Sequence, residues 1–210
     1  KGRWFDTNLV RWREGKLEAV GGWLRFDDTQ LDGKSRGLLA WRANDADRYI
    51  AAGTNTKLYA SQGGQFYDIT PTGFTAGKED SQPGLGWGTA SYGDGAYGVS
   101  RPSDVLIDAA TWSLDNWGEY LVACATCDGK VYEWQLSVTT DAAVLSNAPE
   151  DNVGIIVTNE RYLVCLGAGG NKRKVQWSDQ EDNNTWTPAA TNTAGDLELE
   201  TNGQIVCARR

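Results

Sequence analysis

The chain contains no histidine. Imidazole general bases, Ser–His and Cys–His nucleophile pairs and histidine-ligated metals are therefore excluded. It contains no methionine either, so these 210 residues are expected to belong to a longer reading frame. Proline is scarce, 5 residues against 25 glycines, which is the balance of many tight turns rather than of a collagen or a rigid linker. No segment approaches the roughly 20 uninterrupted apolar residues of a membrane-spanning helix. The opening Lys1-Gly2-Arg3-Trp4 is followed by no apolar run, so no secretory signal is read.

What is present is aromatic and acidic. With 10 Trp, 8 Tyr and 40% hydrophobic residues the chain can bury a real core, which argues against global disorder. The formal charge of −8 argues against wrapping nucleic acid, which needs clustered Lys and Arg. Two readings remain: an ordinary acidic surface, or a surface past which DNA must slide without sticking.

Four stretches align. They are Arg48-Tyr49-Ile50-Ala51-Ala52-Gly53, Glu119-Tyr120-Leu121-Val122-Ala123-Cys124, Arg161-Tyr162-Leu163-Val164-Cys165-Leu166 and Gly203-Gln204-Ile205-Val206-Cys207-Ala208. Short apolar runs of this kind suit strands buried on both faces. After the first three the chain returns, through Lys57-Leu58-Tyr59, through Lys130-Val131-Tyr132-Glu133-Trp134 and through Lys172-Arg173-Lys174-Val175-Gln176-Trp177. Each unit is therefore expected to be a hairpin with a hydrophobic inner strand and a more amphipathic second one. Asp128-Gly129 predicts a type I′ turn, because Gly accepts positive φ, and Gly167-Ala168-Gly169-Gly170 reads as a strand-connecting turn. Tyr120 and Tyr162 are 42 residues apart, as are Tyr162 and Gln204. A period of about 40–45 residues is that of a four-stranded propeller blade.

Tyr49 and Tyr120 are 71 residues apart, so the first interval carries an insertion, placed at about Thr75–Arg101. Its alternating Gly and aromatic residues make Trp87, Tyr92 and Tyr97 candidate subunit contacts, the alternative being an ordered surface loop. Asn8–Trp23 reads as a hairpin turning at Glu14-Gly15, forming an extra sheet or closing a ring against a distant blade. Helical signals are weak throughout; Val105–Ala110 is too short. The expected fold is all-β, with β-propeller-like blade repeats of antiparallel strands as a partial propeller. Residues 1–36 form an N-terminal hairpin segment and 37–210 the blades. The last repeat stops within a strand, and an open propeller leaves unpaired edges, so further blades or a partner chain are expected to cover it.

Chemistry-bearing motifs are few. Cys124-Ala125-Thr126-Cys127 has the spacing of a zinc or redox pair, but only Cys165 and Cys207 remain as further thiolate ligands. Their equivalent places on successive repeats read as small buried core residues, and free thiols fit a reducing compartment. Ser178–Trp186 is the richest acidic loop, with Asp179, Glu181 and Asp182 expected to be exposed; it lacks the turn glycine of a calcium loop or an Asp-box. Gly167–Gly170 has no following Lys-Ser/Thr and is not a phosphate loop. Lys172-Arg173-Lys174 reads as a solvated strand end. No carboxylate pair is singled out for glycoside hydrolysis. No catalytic residue, metal or cofactor is implied, and the chain reads as non-enzymatic.

In the same order along nearly the whole chain, a set of motifs resembles tail structural proteins of tailed bacteriophages, short-tailed ones above all. They are Asn8-Leu9-Val10-Arg11-Trp12-Arg13 with Gly15, Glu18 and Gly21-Gly22-Trp23; Ala40-Trp41; Tyr49 to Asn55; Lys57-Leu58-Tyr59; and Tyr67-Asp68-Ile69-Thr70-Pro71. Trp112 to Glu119, Val175 to Asp182 and Trp186-Thr187-Pro188 complete the set. The resemblance implies a virion protein of the tail nozzle or hub type, assembled in the host cytoplasm. Its partners would be copies of itself in a ring, usually a hexamer, the portal or adaptor and tail-fibre proteins, and DNA passing through the channel without specific binding. Packaged-DNA stabilisation and head completion are related roles. Such proteins are typically several times longer, with further propeller and platform regions. The alternative is a carbohydrate-binding β-propeller, lectin-like or receptor-binding, because Trp and Tyr beside Asp and Asn suit sugar stacking. A glycosidase or sialidase would need an arginine cluster with a tyrosine nucleophile, which the spacing does not assemble.

Overall fold

The computed structural model describes residues 6–22, 24–81 and 108–209. Among them the protein is all-β, in four antiparallel sheets. The first is a hairpin of β1 (Val10–Arg13) and β2 (Lys16–Ala19), closed by Glu14 and Gly15 at φ 50° and 74°. Positive φ at both central residues gives the type I′ turn that matches strand twist. Of the two placements expected for this hairpin, the separate sheet is the one observed.

The other three sheets are meanders of four strands each, in strict chain order. Sheet one runs β3 (Ser35–Arg42), β4 (Arg48–Thr54), β5 (Leu58–Gln62), β6 (Gln65–Asp68). Sheet two runs β7 (Trp112–Trp117), β8 (Tyr120–Ala125), β9 (Val131–Trp134), β10 (Ala143–Val144). Sheet three runs β11 (Gly154–Val157), β12 (Leu163–Leu166), β13 (Lys174–Trp177), β14 (Gly195–Glu198). The only helical element among the described residues is a single 3-10 turn at Ala168–Gly170, between β12 and β13. No described helix is long and apolar enough to cross a membrane.

The sheets pack face to face, and period-2 alternation divides their side chains. Tyr49, Ala51, Leu58 and Ala60 of sheet one meet Trp112, Leu121, Ala123, Tyr132 and Trp134 of sheet two. Rings fill much of this layer: Trp41 stacks on Tyr49 at 5.5 Å, Tyr49 meets Trp134 edge-on at 5.9 Å, and Phe74 stacks on Trp112 at 5.2 Å. The alternate residues Val122, Cys124 and Val131 of sheet two turn the other way. They form a second core with Ile155, Val157, Leu163, Cys165 and Trp186. Truncating one such buried Trp to Ala costs about 3–5 kcal/mol.

The first strands lie side by side, β3 against β7 and β7 against β11. Sheet three begins at β11, so one row of its backbone groups has no strand partner within the sheet. Side chains of β7 supply them. Ser113 Oγ donates to the Ile155 carbonyl at 2.7 Å and accepts from the Ile155 N–H at 3.1 Å, and Asp115 Oδ2 accepts from the Val157 N–H at 2.8 Å. An open edge is thereby satisfied without another strand.

Three local expectations are corrected. The Tyr-led apolar runs are the second strands, β4, β8 and β12, each paired on both sides, and β3, β7 and β11 precede them as the first strands of the sheets. Asp128-Gly129 is not a two-residue I′ turn: only Gly129 has positive φ (70°), and Asp128 and Gly129 both donate to the Ala125 carbonyl across a wider turn. Gly203–Ala208 forms no strand, its one backbone tie being Ile205 N–H to the Lys172 carbonyl at 2.9 Å. Cys207 is consequently exposed rather than a core residue. Most of the Gly-aromatic insertion, with Trp87, Tyr92 and Tyr97, lies outside the described residues.

Candidate functional site

One turn from each of the three large sheets contributes to a groove of about 300 Å³. Asn44 comes from the β3–β4 turn, Gly118 and Glu119 from the β7–β8 turn, and Arg161 from the β11–β12 turn. Glu133 of β9, Asn183 of the β13–β14 loop, and the rings of Trp117 and Tyr120 complete the lining. The meander order brings these turns together, because every hairpin between a first and a second strand opens at the same end.

Arg161 sits in the left-handed region at φ 63°, a conformation that favours glycine. Its N–H donates to the Thr158 carbonyl at 3.1 Å, and its own carbonyl accepts from the Glu181 N–H at 2.9 Å. The turn thus fixes the backbone against its preference. The guanidinium carbon lies 5.2 Å from the centroid of the Trp117 ring, a cation–π contact. Gly118, itself at φ 64°, leaves the room: a Cβ there would stand 3.3 Å from Arg161 Nη2.

The polar groups around Arg161 are unequally engaged. Both Glu133 oxygens accept, from Asn183 Nδ2 and from Gln135 Nε2. Asn183 is buried, and its carbonyl caps the Trp186 indole N–H at 2.7 Å. Glu119 anchors through its backbone, whose carbonyl accepts the Trp41 indole N–H at 2.9 Å. Its carboxylate receives only one long bond, 3.4 Å, from the Asn44 N–H. The Arg161 guanidinium has no hydrogen bond or ion pair with any described residue, and its Nε is buried. The contrast is the groove of about 480 Å³ bounded by Gln30–Lys34 and Glu79. There Lys34 meets Asp80 at 2.7 Å and Glu79 at 3.5 Å, and Arg36 meets Asp80 at 3.0 Å.

The acidic loop named from sequence is placed beside the Arg161 groove, on the β13–β14 connection. Asp179 is partly buried and engaged: Oδ1 accepts from Thr193 Oγ1 at 2.6 Å, the Thr193 N–H at 2.8 Å and the Gln180 N–H at 2.9 Å. These bonds, those from Thr193 first, hold its carboxyl below the ordinary Asp value. Asp182 is exposed and caps its own turn through the Asn184 N–H and Thr185 Oγ1, both at 2.8 Å. Glu181 is exposed at φ 60°. No group of three metal-ligating side chains is found among the described residues. The four cysteines are free: burial pushes the Cys124 thiol up to about 12 and Cys165 well above the ordinary value.

Sequence reasoning missed Arg161 as a site residue, having met it only as the charged residue opening the third repeat. The aligned positions carry Arg48 and Glu119, and only Glu119 also lines the groove. No local pattern announces a left-handed arginine. Comparison with protein-family models, with curated proteins and with solved structures gives no match.

Proposed function

We propose that this chain is a structural, non-enzymatic subunit of a bacteriophage tail, of the nozzle or hub type, whose sheets are blades of a β-propeller. The observation that carries the reading is the run of three four-stranded meanders with first strand beside first strand. That is the order in which blades follow one another around an axis. The motifs resembling tail proteins fall within this frame: Trp112 to Trp117 is β7, Tyr49 to Thr54 lies in β4, and Val175 to Trp177 lies in β13.

The ends of the stack support assembly. Leu163 and Cys165 face sheet two, so Val164, paired with Trp177, faces away, as do Val175 and its partner Leu197. Leu197 is 56% exposed, and Leu38 at the opposite end of the stack is 72% exposed. Apolar sheet faces of this kind are completed by further sheets, those of further blades or of neighbouring subunits in a ring. The net charge of −8 favours passage of DNA over its capture. Antibody-gold labelling of intact particles tests the assignment: label confined to the tail below the portal vertex supports it, and bare DNA-filled particles with an accessible epitope refute it.

A further inference from the structure

The groove between the three turns holds one cation, Arg161, and two carboxylates, of which Glu133 is engaged by Asn183 and Gln135 and Glu119 is nearly free. Arg161 forms no ion pair with Glu119 within the groove they both line, whereas Lys34, Lys57 and Arg173 each pair with a carboxylate elsewhere. A guanidinium Nε–H buried without a hydrogen-bond partner is costly, because that N–H has lost water and gained nothing in its place. Two other residues also have a buried polar atom without a partner, Arg36 and Asn152, but both are otherwise engaged. Arg36 Nη2 donates to the Glu79 carbonyl, and Asn152 Nδ2 to the Gly129 and Pro149 carbonyls. Arg161 alone of the three makes no side-chain hydrogen bond to a described residue, and it does so on a left-handed backbone. Strain and an unsatisfied polar group at one residue mark a site built for something other than stability.

The chemistry of the occupant follows from what each group lacks. Arg161 offers several N–H donors in a fixed fork, and Glu119 offers carboxylate acceptors held by one long bond. An anion would satisfy Arg161 and be repelled by Glu119; a cation would satisfy Glu119 and be repelled by Arg161. An uncharged ligand with adjacent hydroxyls satisfies both, accepting from the guanidinium and donating to the carboxylate. The Glu133–Asn183 pair is already closed and serves as a rigid wall. Trp117 is covered by the guanidinium, which leaves Tyr120 as the aromatic wall. The groove, about 300 Å³, lies at the lower end of ligand-sized clefts, roughly 300–1,000 Å³.

We propose that this groove is a carbohydrate subsite, taking one uncharged sugar ring through a vicinal diol bridged between Arg161 and Glu119. The inference is independent of the tail assignment: it holds or fails on the isolated chain, whatever particle labelling finds.

The test is NMR on the full chain with the methyl glycosides of glucose, galactose, mannose and N-acetylglucosamine, with acetate and phosphate as anion probes. Saturation transfer to at least one glycoside is expected, with a shift of the Arg161 Nε–H signal. Binding should weaken on the order of tenfold or more in Arg161→Lys and separately in Glu119→Gln, with unfolding midpoints near wild type showing that both variants fold. The proposal is overturned if no glycoside binds, if acetate or phosphate moves Arg161 while no glycoside does, or if a bound glycoside is insensitive to both substitutions.

Discussion

The indole of Trp112 occupies the space in which a side chain at Gly53 would stand, and its N–H donates to the carbonyl of Thr54 at 2.6 Å. Gly53 pairs across β3–β4 with Gly37, where a Cβ would lie 2.6 Å from Trp112 Cβ. Two glycines facing each other on neighbouring strands thus make the seat into which β7 presses a tryptophan, and sheet one is joined to sheet two through that seat.

Gly53→Ala should therefore destabilise the protein by about 1–3 kcal/mol, the cost of overpacking a closed interior. Trp112→Phe, which keeps an aromatic ring but leaves the Thr54 carbonyl without its donor, should cost about 1–3 kcal/mol. Gly21→Ala, with nothing near its side-chain position, should stay within about 0.5 kcal/mol of wild type. Urea unfolding midpoints of the three variants give the comparison; equal effects at Gly53 and Gly21 would remove the seat from the account.

Ser113 caps both backbone groups of Ile155 with a single hydroxyl. Ser113→Ala should leave a buried N–H and a buried carbonyl without partners and lower stability by about 1–3 kcal/mol. Amide hydrogen exchange should localise the loss, with Ile155 losing protection before the central strand residues Leu163 and Cys165. Unchanged exchange at Ile155 would mean that the cap contributes nothing.

The four thiols should separate by accessibility. Cys207 is exposed and should react first with a maleimide; Cys127, partly buried with its Sγ 3.4 Å from the Thr75 carbonyl, should follow. Cys124 and Cys165 are buried, and burial raises both thiols, so they should react only as the fold opens. Mass spectrometry of a labelling time course reads the order directly. Early labelling of Cys165 would contradict the second core.

Asp179 ties the β13–β14 loop to Thr193, and its folded carboxyl lies below the ordinary value of 3.8. A depressed carboxyl contributes stability that is fully present above that ordinary value and is lost as pH falls through the lower folded one. Asp179→Asn should accordingly melt below wild type at neutral pH, and the gap should close in acid. A gap that persists unchanged at the lowest pH would show that charge at Asp179 is irrelevant.

Much of the fold could be read from residues alone because buried strands announce themselves. The runs after Tyr49, Tyr120 and Tyr162 became β4, β8 and β12, and Glu14-Gly15 became the turn of β1–β2. Gly203–Ala208 shared the same apolar pattern and failed as a strand, since pattern does not supply a hydrogen-bonding neighbour and only Lys172 is at hand. The groove was not readable. Its members are spread from Asn44 to Asn183, and what unites them is the common end at which three hairpins open. The left-handed conformation of Arg161 is likewise set by Thr158 and Glu181 rather than by its neighbours' identities.

The most direct test of the central claim is a cryo-electron microscopy reconstruction of the tail of particles that carry this chain. The account predicts a ring of subunits around the DNA channel, with the three four-stranded sheets fitting as consecutive blades and Leu197 and Leu38 buried against neighbouring sheets. A tail whose ring density is fully accounted for by other chains, with no place for three stacked four-stranded meanders, would contradict it.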